Sequence, residues 1–253
     1  MIELKNICAG YPGKPVLQDL TMTVPTGQVT AILGPNGCGK STLLKTLCGI
    51  LQADRGEARL DGENLLSLPR KNLAGKVAYL PQNRQIPEIT VGRLVLHGRF
   101  PYLRYPRRYR REDYAAADEA MEKMGILDFA DTLLRQLSGG QRQKAYIAMA
   151  MAQDTPVILL DEPATYLDIS HQLRLIRQAR ELTDRGKTVV MVVHDISQAM
   201  TASDRIVLMD QGKVILEGTP EEVFASGKVD AVFGVKLGRV KTELGWHYYC
   251  MEG

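Results

Sequence analysis

Residues 34–42 read Gly34-Pro35-Asn36-Gly37-Cys38-Gly39-Lys40-Ser41-Thr42. The spacing fits G-x-x-x-x-G-K-[ST], the phosphate-binding P-loop. An apolar run, Val29 to Leu33, precedes it, and a helical pattern through Leu43, Leu44 and Leu47 follows. That is the strand–loop–helix context the motif requires. Its glycines let the backbone turn so that N–H groups face a phosphate chain, and the positive end of the following helix adds to the field. Lys40 is placed to reach the outer phosphates and Ser41 to ligate Mg²⁺.

A second stretch complements the first. Val157-Ile158-Leu159-Leu160-Asp161-Glu162 is a buried apolar strand ending in two adjacent carboxylates, closed by Pro163. In α/β folds ligands bind at the carboxyl ends of such strands. Asp161 fits the acid that organises Mg²⁺ in P-loop enzymes. Glu162 is then free to accept a proton from an attacking water.

Between these motifs the character of the chain changes. Strand patterns run through Ile2 to Ile7, Val16 to Val24, Glu57 to Leu60 and Lys76 to Leu80; Gly10, Pro12 and Gly13 mark a loop carrying Tyr11. From Asn83 to about Leu137 helical patterns dominate, in Val91 to Gly98 and Glu112 to Met124. This predicts a helical subdomain, about 83–140, inserted into an α/β core. Strands then return at Pro156 to Leu160, Lys187 to Val193 and Arg205 to Met209, with helices at Ser170 to Thr183 and Ile196 to Thr201. Near-continuous apolar strands suit a mainly parallel sheet buried on both faces. Lys213 to Glu217 reads as the second arm of a hairpin and Pro220 to Ala225 as a short helix. In the tail, 229–253, Gly238 to Leu244 and Trp246 to Cys250 pattern as a possible hairpin, with Trp246, Tyr248 and Tyr249 better explained by packing than by ligand binding.

Size and composition are permissive. The 253 residues allow one large domain with a subdomain, at 45% hydrophobic and 24% charged residues, a soluble globular balance. A net charge of +3 does not of itself indicate nucleic acid. No stretch reaches the ~18 consecutive apolar residues of a membrane span, and the start, Met1-Ile2-Glu3-Leu4-Lys5, lacks a signal-peptide pattern. Cys8, Cys38, Cys48 and Cys250 show no paired metal spacing, which favours a reducing cytosolic setting. Cys38, inside the P-loop, carries the expectation that thiol alkylation blocks ATP binding and that ATP protects.

Leu137-Ser138-Gly139-Gly140-Gln141 precedes a helical stretch, Arg142 to Ala152. Ser138 is a natural N-cap, so the segment is either a second anion site at a helix N-terminus or an ordinary capped helix.

Taken in order, these motifs resemble the ATP-binding subunits of ABC (ATP-binding cassette) transporters, over Met1 to about Ala225. Gly34 to Thr42 resembles the Walker A segment, Gln82 the Q-loop glutamine, Leu137 to Gln141 the family signature and Val157 to Glu162 the Walker B strand. Thr165-Tyr166-Leu167-Asp168 sits at the D-loop, and His194 matches the switch histidine. The resemblance implies a P-loop NTPase core with an antiparallel β subdomain and the helical insertion, the ATPase domain spanning 1–228; the tail, 229–253, lies beyond it, its hairpin expected from its own pattern. It implies ATP and Mg²⁺ as ligands and a head-to-tail dimer, the expected partner an identical chain, with each ATP between one P-loop and the other subunit's signature. Ser138, Gly139, Gly140 and Gln141, with Asp168, then act across the interface. Tyr11 stacks on adenine, Gln82 approaches Mg²⁺ and the attacking water, and His194 hydrogen-bonds the γ-phosphate; from the residues alone, His194 is equally a structural histidine.

Two segments, Glu162 to Gln172 and His97-Gly98-Arg99-Phe100-Pro101-Tyr102, resemble importers of iron–siderophores, haem and vitamin B12. Tyr166 is informative, since many family members carry a smaller residue there; Ala164 departs from the threonine common in that subfamily. The implied partners are a transmembrane permease and an extracytoplasmic binding protein acting through it, with the chain peripheral on the cytoplasmic face of the inner membrane and no nucleic acid partner. The alternative is a non-transport ABC ATPase acting on ribosomes or DNA; one cassette and no sustained heptads speak against it. Arg99 to Arg111, six arginines interleaved with Tyr102, Tyr105 and Tyr109, fits a solvated loop, membrane or permease proximity, or single-stranded nucleic acid, the first two being favoured.

Overall fold

A computed structural model describes residues 1–82, 86–164, 168–243 and 245–252. The chain opens with β1 (Ile2–Tyr11), β2 (Lys14–Val24) and β3 (Val29–Leu33), then α1 (Lys40–Leu47), β4 (Ala53–Leu60), β5 (Glu63–Asn64), α2 (Arg70–Ala74) and β6 (Val77–Leu80). The helical stretch holds α3 (Val91–His97), α4 (Arg111–Lys123) and α5 (Gly139–Ala152). Strand–helix alternation resumes with β7 (Val157–Asp161), α6 (Ile169–Asp184), β8 (Thr188–Val192), α7 (Ile196–Ala202) and β9 (Arg205–Asp210). β10 (Lys213–Gly218), α8 (Pro220–Ala225), α9 (Lys228–Phe233), β11 (Val235–Thr242) and β12 (Gly245–Glu252) complete it.

The central sheet has the order β10-β9-β3-β8-β7-β6, parallel except for β10. Strand period two divides its side chains between two cores. Ala31 and Leu33 of β3, Ile158 and Leu160 of β7, and Val189 and Met191 of β8 face the helices α3 to α7. Ile32, Leu159, Val190 and Val192 face the other way, onto α1 and an antiparallel sheet of order β2-β1-β4-β5. Both faces being buried, the parallel strands need apolar side chains throughout, which is why they read as unbroken runs.

Some expected boundaries move. Tyr11 is the last residue of β1, paired with Lys14, rather than part of a loop. β4 begins at Ala53, four residues before the expected strand. Gly56, at φ +96°, packs against the Asn6 backbone, and register shifts interrupt the alternation that would have marked the earlier half. Helix α9 was not anticipated; it is six residues long and is bounded by Gly227 and Gly234, both left-handed at φ +64° and +66°. It is too short to display a helical period.

The closing hairpin pairs Val235 with Glu252 through Thr242 with Gly245. It begins earlier than the tail pattern suggested, and Leu244 lies outside the described residues. β12 packs along α7. Tyr248 is buried, its ring 5.7 Å from that of Phe224. The Arg239 guanidinium sits over two rings, 4.5 Å from Phe224 and 4.2 Å from Trp246. Among the described residues no helix is long and apolar enough to cross a membrane.

Candidate nucleotide-binding and hydrolysis site

Because β8 lies between β3 and β7 and all three run parallel, the segments leaving them emerge at one edge of the sheet. After β3 comes the P-loop, after β7 comes Glu162, and after β8 comes His194. Three stretches, two of them more than a hundred residues from the first, are thereby brought together.

The loop's shape depends on close backbone approach. A Cβ at Gly34 would lie 2.3 Å from the Met209 carbonyl oxygen and 2.6 Å from Cys38 Sγ. Gly39, the left-handed N-cap of α1 at φ +110°, has Leu17 and Val16 against it. Lys40 is buried, and its Nζ donates to the carbonyls of Gly34 at 2.6 Å and Pro35 at 2.9 Å. Its ammonium is thus folded back over the loop. Tyr11, Asn36, Gly37, Gly39, Lys40, Ser41, Thr42, Gln82 and Glu162 line one open cleft of about 350 Å³ with Lys14 and Val16. Tyr11 is partly exposed at its mouth, its hydroxyl accepting from Lys45 Nζ at 3.4 Å.

Ser41 Oγ donates to Asp161 Oδ1 at 2.9 Å, joining the first residues of α1 to the end of β7. Tyr79 donates its hydroxyl to Asp161 Oδ2 at 3.0 Å. Burial pushes the Asp161 carboxyl above the ordinary carboxylate range, opposed by the two hydroxyl donors. Tyr79, itself pushed well up by burial and by the Asp161 charge, stays a donor. Sequence reading missed Tyr79. Its place follows from the β6–β7 register, in which it stands opposite Leu159, and no local signal carries that.

Glu162 has a left-handed backbone, φ +51°, a conformation costly for a residue with a Cβ and concentrated at functional sites. Its Oε1 lies 2.5 Å from His194 Nε2, and its Oε2 accepts from Gln82 Nε2. His194 is half exposed while the Glu162 side chain is nearly buried. The carboxylate expected to act as base is therefore held from both sides by the glutamine and histidine that the sequence marked.

Other marked residues lie apart. Ser138, Gly139, Gly140 and Gln141 begin α5 and do not line the cleft over Lys40. They form a capping box: Ser138 Oγ accepts from the Gln141 backbone N–H at 3.2 Å, and Gln141 Oε1 from that of Ser138 at 2.9 Å. The helix they begin is tied to the β7 end, Gln143 Nε2 donating to the Pro163 carbonyl at 2.5 Å. Asp168 is exposed, accepts from Ser170 Oγ at 2.8 Å, and also lies off the cleft. Thr165, Tyr166 and Leu167 fall outside the described residues.

Cys38 departs from its expectation. The thiol is 4% exposed and packs in the core beneath the loop. Burial raises it above the usual thiol range, the Lys40 charge only partly opposing. Its burial argues against ready alkylation.

The donor set suits a nucleoside triphosphate with a hard cation. Ser41, Asp161 and Gln82 offer oxygens, and among the described residues no group of three or more His, Cys, Asp or Glu could hold a metal alone. A cation bound jointly by few protein oxygens and by substrate phosphates fits Mg²⁺.

The sequence profile of the ABC transporter family matches residues 17–165. Over 234 residues the chain is 41% identical to the ferric enterobactin transport ATP-binding protein FepC of Escherichia coli (strain K12), covering 92% of this chain and 86% of that protein. It is 39% identical over 239 residues to the petrobactin import ATP-binding protein YclP of Bacillus subtilis (strain 168), covering 94% of each. Among solved structures, an ABC transporter described as of metal-chelate type, in an inward-facing conformation, matches with a TM-score of 0.84 at 26% identity, over 99% of this chain and 97% of that one.

Proposed function

This chain belongs to the ABC transporter family as an ATP-hydrolysing subunit coupled to transport, and on that premise we propose that it powers uptake of an iron chelate or a corrinoid. The cargo class takes in iron–siderophores, haem and vitamin B12, with iron–siderophores foremost. The observation that carries the reading is identity of about two residues in five, across nearly the whole chain, to proteins of ferric enterobactin transport and petrobactin import.

The P-loop, Gly34 to Thr42, holds the phosphates of ATP, with Tyr11 against adenine. Lys40 exchanges its two loop carbonyls for the outer phosphate oxygens. Ser41, Asp161 and Gln82 hold Mg²⁺, which when bound neutralises phosphate charge. Glu162 takes the proton as a water oxygen bonds to the γ-phosphorus and the bond to the bridging oxygen breaks, giving ADP and phosphate. Gln82 and His194 fix the carboxylate for that transfer, and the half-exposed His194 would also hydrogen-bond the γ-phosphate. Ser138, Gly139, Gly140 and Gln141 at the start of α5, and Asp168, stand away from the cleft over Lys40. Their separation from Lys40 supports a site completed by a second, identical copy arranged head to tail. The dimer drives a membrane permease from its cytoplasmic face, and an extracytoplasmic binding protein delivers cargo to that permease.

Deleting the gene and measuring uptake of a labelled ferric siderophore, haem and cobalamin tests the cargo. Loss of ferric-siderophore uptake is expected. Unchanged uptake of all three, or loss confined to haem or to cobalamin, would overturn the iron–siderophore assignment. Co-purification with ribosomes instead of a membrane protein would overturn the transport coupling.

A further inference from the structure

Arg99 to Arg111 carries six arginines and no carboxylate. Remove those six from the chain's 32 lysines and arginines and the acids, 29, are in the majority. The positive charge of this protein is thus concentrated in one segment of thirteen residues, between α3 and α4.

The segment is anchored at both ends. Arg99 pairs with Asp113 at 3.2 Å and donates to the Ala152 carbonyl at 2.9 Å. Leu103 is buried, and its carbonyl accepts from Lys71 Nζ at 2.9 Å. Tyr109 packs against the core of the helical region. Between these fixings the chain projects outward. Arg104, Tyr105, Pro106, Arg107 and Arg108 are all exposed, Tyr105 at 97% of its surface, and Arg110 and Arg111 continue the exposed run. Among the described residues none of Arg104, Arg107, Arg108, Arg110 and Arg111 has an ion pair with a carboxylate. Arg107 lies over the ring of Phe100, 5.0 Å from its centre, and Phe100 is itself half exposed.

A solvated loop needs neither feature: unpaired like charges repel, and an almost fully exposed tyrosine and a half-exposed phenylalanine gain nothing in water. The combination suits an interface with an apolar side and an anionic side. Guanidinium groups bond phosphate oxygens through several donors at once, and tyrosine settles where its ring meets hydrocarbon and its hydroxyl meets headgroups.

We infer that the Arg104–Arg111 segment, with Phe100 and Tyr105, is a direct docking surface for anionic phospholipid headgroups, which orients this subunit against the bilayer independently of its permease. The inference goes beyond the family reading and does not depend on the cargo. An acidic headgroup surface attracts each nearby basic residue enough to change partitioning roughly fivefold. Removal of three charges should thus weaken binding on the order of a hundredfold, and added salt should weaken it by screening.

The test is sedimentation of the full-length protein, without permease or nucleotide, with vesicles of neutral phosphatidylcholine or of phosphatidylcholine carrying about a third phosphatidylglycerol. ATPase activity and far-UV circular dichroism of the R104Q/R107Q/R108Q variant, remote from the cleft, serve as controls for folding. The expected result is binding to the anionic vesicles alone, weakened by 0.5 M salt and lost in the triple variant, with Y105A intermediate. Absence of wild-type binding, equal binding to neutral vesicles, or full binding by a folded triple variant each overturns the proposal. Tighter binding to a single-stranded oligonucleotide than to anionic vesicles at the same salt, lost in the triple variant, overturns it in favour of nucleic acid. None of these outcomes bears on siderophore uptake, so the two readings fail separately.

Discussion

His194 Nε2 lies 2.5 Å from Glu162 Oε1, across the ends of two adjacent parallel strands. The contact holds one carboxylate oxygen still, and Gln82 holds the other. A base so restrained loses little entropy on reaching its proton-accepting position. Glu162→Gln keeps the shape and one accepting oxygen but offers no site basic enough to take a proton. Hydrolysis should fall by about 10²–10⁴-fold, with ATP affinity within a few-fold of wild type. Phosphate release and equilibrium nucleotide binding measure the two separately; turnover at the wild-type rate would remove the role from this residue.

Asp161 makes a prediction about stability. Its carboxyl is raised by burial from the ordinary 3.8, so the folded protein binds that proton more tightly than the unfolded chain. Stability from this group therefore falls as pH rises from about the unfolded value through the raised folded value, and the full penalty is present above it. Asp161→Asn removes the penalty at pH 7. Its neighbours there, Ser41 and Tyr79, are hydroxyls able to accept from the new amide as well as donate. The variant should be inactive yet melt about 2–4 °C higher, the scale of 1 kcal/mol in a domain of this size. The gain should vanish below the unfolded value, near pH 3.8. Calorimetry across pH checks it, and a variant less stable at pH 7 would show that the two hydroxyl contacts outweigh burial.

Gly34 admits no side chain. The atom that an added Cβ meets first is a backbone carbonyl oxygen, Met209 O at 2.3 Å, so no rotamer change relieves it. Gly34→Ala should destabilise the fold by about 1–3 kcal/mol and abolish nucleotide binding. Urea titration and fluorescent-nucleotide binding report each effect.

For the cysteines, burial sets the order of reaction. Cys250 is exposed and Cys8 partly so, whereas Cys38 is buried with its thiol raised and burial holds Cys48 up at about 11. Maleimide followed by peptide mapping should modify Cys8 and Cys250 first. Cys38 should react on the order of tenfold or more slowly, with or without Mg-ATP. Rapid labelling of Cys38 that ATP suppresses would mean the loop opens in solution.

The parts legible in the sequence were those fixed by local rules. A P-loop announces itself because its glycines, lysine and serine are adjacent. Strands β3, β7 and β8 do so because burial on both faces leaves no polar alternation. What sequence could not carry was anything set by the pairing of distant strands. Tyr79 meets Asp161 only because β6 and β7 pair in one register. Cys38 sits in a motif that suggests exposure, but its side chain turns inward beneath Gly34. The hairpin is joined to α8 by rings from α8 and β12 meeting around Arg239, and no local pattern predicts such a contact.

Ser138 caps α5 with an oxygen lone pair, accepting from the Gln141 N–H. Aspartate or asparagine would cap that helix as well. A hydroxyl differs in what it has left over, because its proton is not spent on the cap and stays available to donate outward. Aspartate at the same place would present negative charge to an approaching phosphate, and alanine would give up the cap together with the donor. In the proposed head-to-tail dimer, one small side chain would thus serve its own helix with one pole and a neighbour's nucleotide with the other. Threonine, the other hydroxyl that caps well, is the replacement with the best prospect of preserving both.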